Sequence, residues 1–127
     1  MAIATDLRLQ LAATLTANGV PAFASMPHSI NPPVVAFTAA DPYLRIDRVG
    51  STLQYEINLY ANLIVPVLDS EGSLLTLEEL IDSVLRALPP GVYASDVSAP
   101  RVDRLGDAQG SVLIADLAIT AQGKETA

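Results

Sequence analysis

His28 is the only histidine of the chain, and there is no cysteine. A hydrolytic triad needs a histidine beside a nucleophile and an orienting acid. His28 lies in a proline-rich stretch, however, and no G-x-S-x-G sequence is present to expose a serine. The absence of cysteine excludes disulfides, thiolate metal sites and cysteine nucleophiles. We therefore interpret His28 as a loop residue and expect no catalytic site around it.

The acidic residues do not form a site for metal or acid–base chemistry. Residues 69–72 (DSEG) resemble the start of a calcium loop, but the glycine comes too early and the distal bidentate acid is missing. Glu78 and Glu79 are adjacent on a predicted helix, so they diverge, and with Asp82 they form a solvated face. No glycine spacing fits a phosphate-binding loop. We expect no metal, no cofactor and no enzymatic activity.

The arginines are the more informative charges, because six of the seven cations are arginine. Two pairs each flank an aspartate on a predicted strand: Arg45 and Arg48 around Asp47, and Arg101 and Arg104 around Asp103. Each pair could bind acids on a neighbouring strand, worth at most about 1 kcal/mol per exposed pair. The arginines could instead match charges between subunits, since arginine is enriched at interfaces. Cross-strand pairing is slightly favoured for each pair alone, and all four arginines are candidate interface residues.

Two helices are predicted from the spacing of apolar residues. The first runs from Ile3 to Asn18 and ends at Asn18-Gly19. The second runs from Leu77 to Leu88 and is stopped by Pro89-Pro90-Gly91. Both have an apolar stripe at helical spacing. Residues 69–72 are predicted to be a polar loop before the second helix. Ser73 or Thr76 is expected to cap that helix, since Thr76 and Glu79 have capping-box spacing.

Strands account for most of the remaining chain. They are predicted over 34–37, 43–49, 52–59 with an extension to 68 interrupted by Pro66, at least one within 92–104 that is bent or interrupted near Pro100, and 112–120. Turns are expected at Asp41-Pro42, Gly50-Ser51 and 106–110. Strand 52–59 alternates apolar and polar residues, which is typical of an antiparallel sheet covered on one side.

These elements predict one α+β domain over residues 1–127. The order is α-β-β-β-α-β-β, with a roughly five-stranded, mainly antiparallel sheet and two helices packed on one face. Residues 122–127 are expected to be a flexible tail. Two helices can cover only one face of such a sheet. The other face must be solvated or covered by a partner.

The last predicted strand is apolar at nearly every position. Val112, Ile114 and Ala118 are apolar on the side opposite the main stripe, and only Asp116 interrupts them. A strand that is apolar on both faces is buried on both faces. The second cover could be a loop or a neighbouring subunit. Val112, Ile114 and Asp116 therefore join the four arginines as candidate interface residues.

Composition limits the classes of partner. The chain is 50% hydrophobic and 17% charged, more apolar than an average domain, which is consistent with a well-filled core or with subunit contacts. Its net charge of −7 provides no basic footprint for phosphates. There is no Trp and few other aromatic residues, so a stacking platform is not expected. No signal peptide and no membrane-spanning stretch are predicted, and we expect a soluble chain.

The order of these elements resembles that of the tail terminator, or tail completion, proteins of long-tailed bacteriophages and phage-like particles. The resemblance covers most of the chain. It lies in the first helix with Asn18-Gly19, the segment Ile30-Asn31-Pro32-Pro33-Val34-Val35, Pro42-Tyr43, the alternating strand Gln54-Tyr55-Glu56-Ile57-Asn58-Leu59-Tyr60, the helix from Leu77 to Leu88 and the closing strand from Ser111 to Thr120.

The resemblance implies a structural virion protein that forms a homo-oligomeric ring, usually a hexamer, at the head-proximal end of the tail. The ring caps the tail tube, stops its polymerisation and offers a surface to the head–neck connector or stopper protein. DNA passes through the lumen without specific binding, and assembly takes place in the host cytoplasm. The alternatives are another head–tail connector or neck protein and, in a different class, a small-molecule binding module between sheet and helices.

Overall fold

A computed structural model describes residues 3–25, 32–50, 52–67, 70–104 and 111–126. It confirms the α+β class, with two helices and a mostly antiparallel sheet in one small domain. The elements are α1 (Ile3–Ala17), β1 (Ala22–Phe23), β2 (Val34–Val49), β3 (Thr52–Pro66), α2 (Ser70–Ala87), β4 (Val92–Val97), β5 (Arg101–Arg104) and β6 (Ser111–Thr126). In these ranges no helix is long and apolar enough to cross a membrane.

The long strands β2, β3 and β6 form the centre of the sheet. The order is β1-β2-β3-β6-β4, and all neighbours are antiparallel except β1 and β2. β4 and β5 share one side of β6: β4 pairs with the middle of the strand and β5 with its first residues. The break between them confirms the interruption predicted near Pro100.

Both helices pack on the same face of the sheet. Alternate residues of the central strands meet them there, and the buried side chains include Phe37, Leu59 and Leu117. α1 contributes Leu11 and Leu15 at i, i+4. α2 contributes a stripe of Leu77, Leu80 and Val84. This is the apolar cluster that the two helical stripes predicted.

The end of α1 follows its sequence signal. Asn18 donates its side-chain Nδ2 to Thr14 O at 2.8 Å, and Gly19 adopts a φ of 84°. Positive φ favours glycine, because it has no Cβ to clash. The Val20 amide then donates to Leu15 O at 2.9 Å, which satisfies a carbonyl that the helix leaves open.

The prediction of two short strands over 34–37 and 43–49 was wrong in one respect, because both belong to β2. The turn expected at Asp41-Pro42 is instead an irregularity inside that strand. Ala39 pairs with Leu59 and Leu44 with Ile57, so residues 40–43 lie opposite the single residue Asn58. Proline cannot donate to a sheet ladder, which explains why the chain bulges at this point and then resumes pairing.

The prediction for the start of α2 was also wrong. The helix begins at Ser70, so Glu71 and Gly72 lie inside it and Thr76 is not its cap. The Thr76 hydroxyl donates to Gly72 O at 2.9 Å, the i−4 bond that a threonine makes within a helix. The capping-box spacing of Thr76 and Glu79 thus lies inside the helix. The first turn contains the weak helix formers Gly72 and Ser73, so the sequence did not indicate that the helix begins there.

Two further differences concern the sheet. β1 is an additional strand in the proline-rich connection, where it pairs in parallel with Val35 and Ala36, so the sheet has six strands. Residues 122–126 were expected to form a tail, but they continue β6 opposite the start of β3. Backbone pairing with Thr52 to Glu56 satisfies the hydrogen-bonding groups of this polar segment. His28 and the turn expected at 106–110 lie outside the described residues.

Candidate interaction surface

The face of the sheet that lies away from the helices, which we call the open face, is the candidate functional site. Residues opposite one another in antiparallel strands share a face. The cross-strand rows of the open face are Val34–Ile64–Ile114, Ala36–Asn62–Asp116, Thr38–Tyr60–Ala118, Asn58–Thr120–Tyr93 and Arg45–Glu56–Gln122. The face thus changes from apolar at one end to polar and charged at the other.

All three aromatic residues that the described chain exposes project from the open face. Tyr60 and Tyr93 occupy adjacent rows on either side of β6, and Tyr93 is 66% exposed. Phe23 pairs with Ala36 and lies at the β1 edge of the same face. The other described aromatic side chains are buried or pack against the main core. Exposed tyrosines between small and amide side chains are a composition typical of protein-recognition surfaces.

Short side-chain hydrogen bonds hold the middle of the open face. Thr120 donates its hydroxyl to Asn58 Oδ1 at 2.8 Å, and Asn58 donates Nδ2 to the Pro42 carbonyl at 3.0 Å. Asn58 therefore fastens the irregular part of β2 to the two central strands. In the next polar row, Asn62 donates Nδ2 to Ala36 O at 3.1 Å and to Thr38 Oγ1 at 3.0 Å. Groups tied in this way are preorganised, so they lose little freedom when a partner binds.

A shallow depression of about 400 Å³ lies on this face beside the irregular part of β2. Asp41, Arg45, Asn58, Tyr60 and Ser95 are among its lining residues. It is open to solvent on one side and lacks the enclosing apolar wall that buries most of a small ligand. Its shape suits a protruding side chain of another protein better than a small molecule.

Two of the four candidate arginines pair across strands, as the sequence slightly favoured. Arg45 Nε lies 3.5 Å from Glu56 Oε2, and Arg101 Nη1 lies 3.1 Å from Asp116 Oδ2. The Arg45 side chain is 71% exposed and that of Glu56 is 36% exposed. Because such a pair is solvated, it contributes little to folding. Both guanidinium groups lie on the open face.

Asp116 interrupts the apolar β6 because it lies where the neighbouring strand is broken. Ser98, between β4 and β5, accepts from the Asp116 amide at 2.9 Å and donates its own amide to Asp116 O at 2.9 Å. Asp116 Oδ2 accepts from Arg101, whereas Oδ1 is buried with no hydrogen-bond partner in the described chain. Asp116 thus joins the two edge segments, through its backbone to Ser98 and through its carboxylate to Arg101, and Oδ1 is left to accept a further hydrogen bond.

Val112 and Ile114, the apolar candidates, are buried within the single chain. With Val34 and Ile64 they form a second small cluster on the open face, each at most 5% exposed. The second side of β6 is therefore buried here by the chain itself. A part for these two side chains in a subunit contact stays a prediction.

The remaining candidates, Arg48 and Arg104, are placed only by their backbones. Arg48 pairs with Leu53 near the end of the β2–β3 hairpin, and Arg104 pairs with Ser111 at the start of β6. Their side chains lie outside the described part of the structure. The structure therefore brings the other five candidates to one face, without one compact cluster.

The sequence did not identify the aromatic residues of this face. Tyr60 and Asn58 lie at even positions of β3, on the side that its alternation predicts to be solvated. Tyr93 lies in the segment 92–104, whose apolar residues follow no clear period, so the sequence does not predict which face of the sheet it occupies. A tyrosine on the solvated side of a strand is the sequence feature that indicates such a surface, because a large aromatic ring exposed to solvent does not contribute to the core.

No group of three or more His, Cys, Asp or Glu residues that could hold a metal is found within the described ranges. Comparison with protein-family models finds no match, and comparison with curated protein sequences finds none either. The surface must therefore be interpreted from its own chemistry.

Proposed function

We propose that this protein is a ring-forming tail terminator of a long-tailed phage or phage-like particle, with no catalytic activity. In this role, copies of the chain associate head to tail around the end of the tail tube, stop its growth and present a surface to the neck connector. The proposal rests on the element order and on one structural observation: the exposed aromatic residues of the described chain are all on the open face.

The supporting argument is about interface geometry. A ring needs two different surfaces on each subunit, because each copy meets its neighbour head to tail. The chain has an open face with tyrosines and charged residues, and on its other side a helix layer. The main core lies between the sheet and the helices within one chain, so folding leaves the polar and aromatic part of the open face exposed for association.

The charge of the chain is also consistent with this role. At −7 it would repel DNA phosphates instead of retaining them, which suits a wall past which DNA moves. The virion location, the tube and neck partners and the usual six-fold ring remain parts of the proposal. A neck or head-completion protein would differ from a terminator in which proteins it contacts.

The test is native mass spectrometry of the purified chain over a concentration series, with negative-stain imaging of any oligomer and a tube-capping assay. We expect closed rings with a central hole, and purified tail tubes that stop growing when the chain is added. Rings that do not stop growth would favour the neck-protein alternative. A chain that neither forms rings nor binds tubes would refute the assembly function.

The depression of about 400 Å³ is the one observation that favours a binding module. A ligand screen by thermal shift tests this second candidate. A stabilising small molecule whose effect disappears in Asn58→Ala would favour the binding module, since Asn58 holds the wall of the depression. Stabilisation only by other tail proteins would favour assembly.

A further inference from the structure

One side of α2 carries two exposed leucines around an exposed carboxylate. Leu74, Glu78 and Leu85 follow at i, i+4 and i+11, so they lie on one side of the helix. The leucines are 46% and 45% exposed. We call these three residues the α2 flank. Its two ends are about 16 Å apart at the rise of an α-helix.

Within the described residues, the α2 flank leaves both of its leucines exposed and its carboxylate without an ion pair. The opposite side of α2 carries Thr76, Glu79 and Ser83, which line the hollow beside the end of α1. Glu78 makes no ion pair within the described residues. α2 as a whole has four acidic residues and one arginine, and that arginine, Arg86, pairs with Asp82. The Glu78 carboxylate is therefore a solvated negative charge between two apolar side chains.

The open face offers the complementary arrangement. Arg45 and Tyr60 both line the shallow depression, and the Arg45 side chain is about twice as exposed as that of its acid partner Glu56. The guanidinium group is thus the outer member of a solvated pair, and its remaining N–H groups can bind a second carboxylate. Tyr60 and Tyr93 supply an exposed aromatic surface on which apolar side chains of a partner can pack.

The spacing of the two surfaces is compatible. Glu78 and Leu85 are about 10 Å apart along the helix. Arg45 and Tyr60 are about 14 Å apart on neighbouring strands, at the usual strand rise and spacing. The long side chains of Arg45 and Glu78 can close the difference. Since the helices and the open face lie on opposite sides of the sheet, one subunit cannot bring these groups together.

We infer that the α2 flank of one copy docks on the open face of a second copy, with Glu78 bound to Arg45 and the leucines against Tyr60 and Tyr93. This inference rests on the proposed ring, whose head-to-tail contact it specifies. The two surfaces differ, so the contact is heterologous and can repeat around a closed ring. It covers the side of the sheet that the helices leave open.

A charge exchange tests this contact. Arg45→Glu would place two carboxylates against each other, and Glu78→Arg would place two guanidinium groups against each other. Each single variant should therefore associate about tenfold more weakly than the wild type. The double variant, which restores opposite charges with the signs exchanged, should associate like the wild type. Sedimentation velocity at several concentrations measures the wild type and all three variants.

A mixture of the two single variants is a second form of the same test. An Arg45→Glu subunit carries carboxylates at both positions, and a Glu78→Arg subunit carries guanidinium groups at both. In an alternating oligomer of the two, every inferred contact therefore joins a carboxylate to a guanidinium group. The mixture should associate like the wild type, although each single variant alone stays weak. A mixture as weak as the single variants would mean that the two residues do not face each other across the contact.

Glu79→Arg is the matched control, because it makes the same charge change one residue away on the other side of α2. It should associate like the wild type. Leu85→Gln removes an apolar contact without a charge change and should also weaken association, whereas far-UV circular dichroism should show a folded chain for every variant. Full assembly by both single charge variants, or no recovery in the double variant, would overturn the contact.

These outcomes distinguish the contact from the proposed function. Rings that form normally with every variant would refute the contact and leave the ring intact. A wild-type chain that stays monomeric up to millimolar concentration would also refute the contact, and capping of tail tubes by that monomer would leave the terminator function standing.

Discussion

The two faces of the sheet differ in what holds them together, although the same strands supply both. The helix-covered face is an apolar core in which Leu59, Leu63 and Leu117 are at most 2% exposed. The open face combines a four-residue apolar cluster at one end with hydrogen-bonded amides, ion pairs and exposed tyrosines. The first arrangement stabilises a fold, whereas the second leaves groups free to bind. We therefore expect the largest stability effects on the first face and the largest association effects on the second.

The largest stability difference is expected between Leu59→Ala and Tyr93→Ala. Leu59 is fully buried under the helices, so its truncation should lower the free energy of unfolding by about 2–5 kcal/mol through lost burial and a cavity. Tyr93 is 66% exposed, and its truncation should change that free energy by less than about 0.5 kcal/mol. Urea unfolding followed by far-UV circular dichroism measures both. Equal losses would mean that the two faces do not divide folding from association.

Ile64→Ala tests whether the small apolar cluster on the open face stabilises the fold as a second core. Ile64 is 0% exposed and lies beside Val34 and Ile114. We expect a loss of about 2–4 kcal/mol, near that of a main-core residue. The same urea titration checks it, with Thr38→Ala on the same face as a partly exposed control. A loss as small as that of the control would show that the single chain does not depend on this cluster.

Asn62→Ala tests the amides of the open face. Asn62 is 7% exposed, and its Nδ2 group satisfies both the Ala36 carbonyl and the Thr38 hydroxyl. Its removal leaves a buried carbonyl without that donor, so we expect a loss of about 1–3 kcal/mol in urea unfolding. Asn62→Asp should be at least as damaging, because a carboxylate cannot donate to either oxygen. Full stability of Asn62→Asp would contradict the hydrogen-bond assignment.

The sequence predicted the helix-covered face well, because burial under a helix produces a regular apolar period. This period predicted α1 and the part of α2 from Leu77 onward, and the alternation predicted β3. The open face was harder, since its order depends on contacts between distant residues such as Asn58 with Pro42. The continuity of β2 through Asp41-Pro42 was missed for the same reason. A proline signals a break locally, and only pairing with β3 shows that the strand resumes.

Among the polar contacts of the open face, the smallest stability effect is expected for the arginine pairs. Arg45→Ala removes a solvated pair of 3.5 Å and should cost at most about 1 kcal/mol in unfolding free energy. Arg101→Ala should cost somewhat more, because its partner Asp116 is 21% exposed and would keep a less solvated charge. Raising the salt concentration in the urea titration should reduce the first loss more than the second, since screening acts most strongly on the exposed pair.

The order of these two losses decides what Arg45 does. If Arg45→Ala costs more than Arg101→Ala, the more exposed pair does more to hold the fold, and Arg45 is a structural residue with no need of a partner subunit. If the expected order holds and Arg45→Ala still weakens association in sedimentation velocity, the main interaction of its guanidinium group lies between copies of the chain. A residue that contributes little to folding and much to association is what separates a binding face from a folding face.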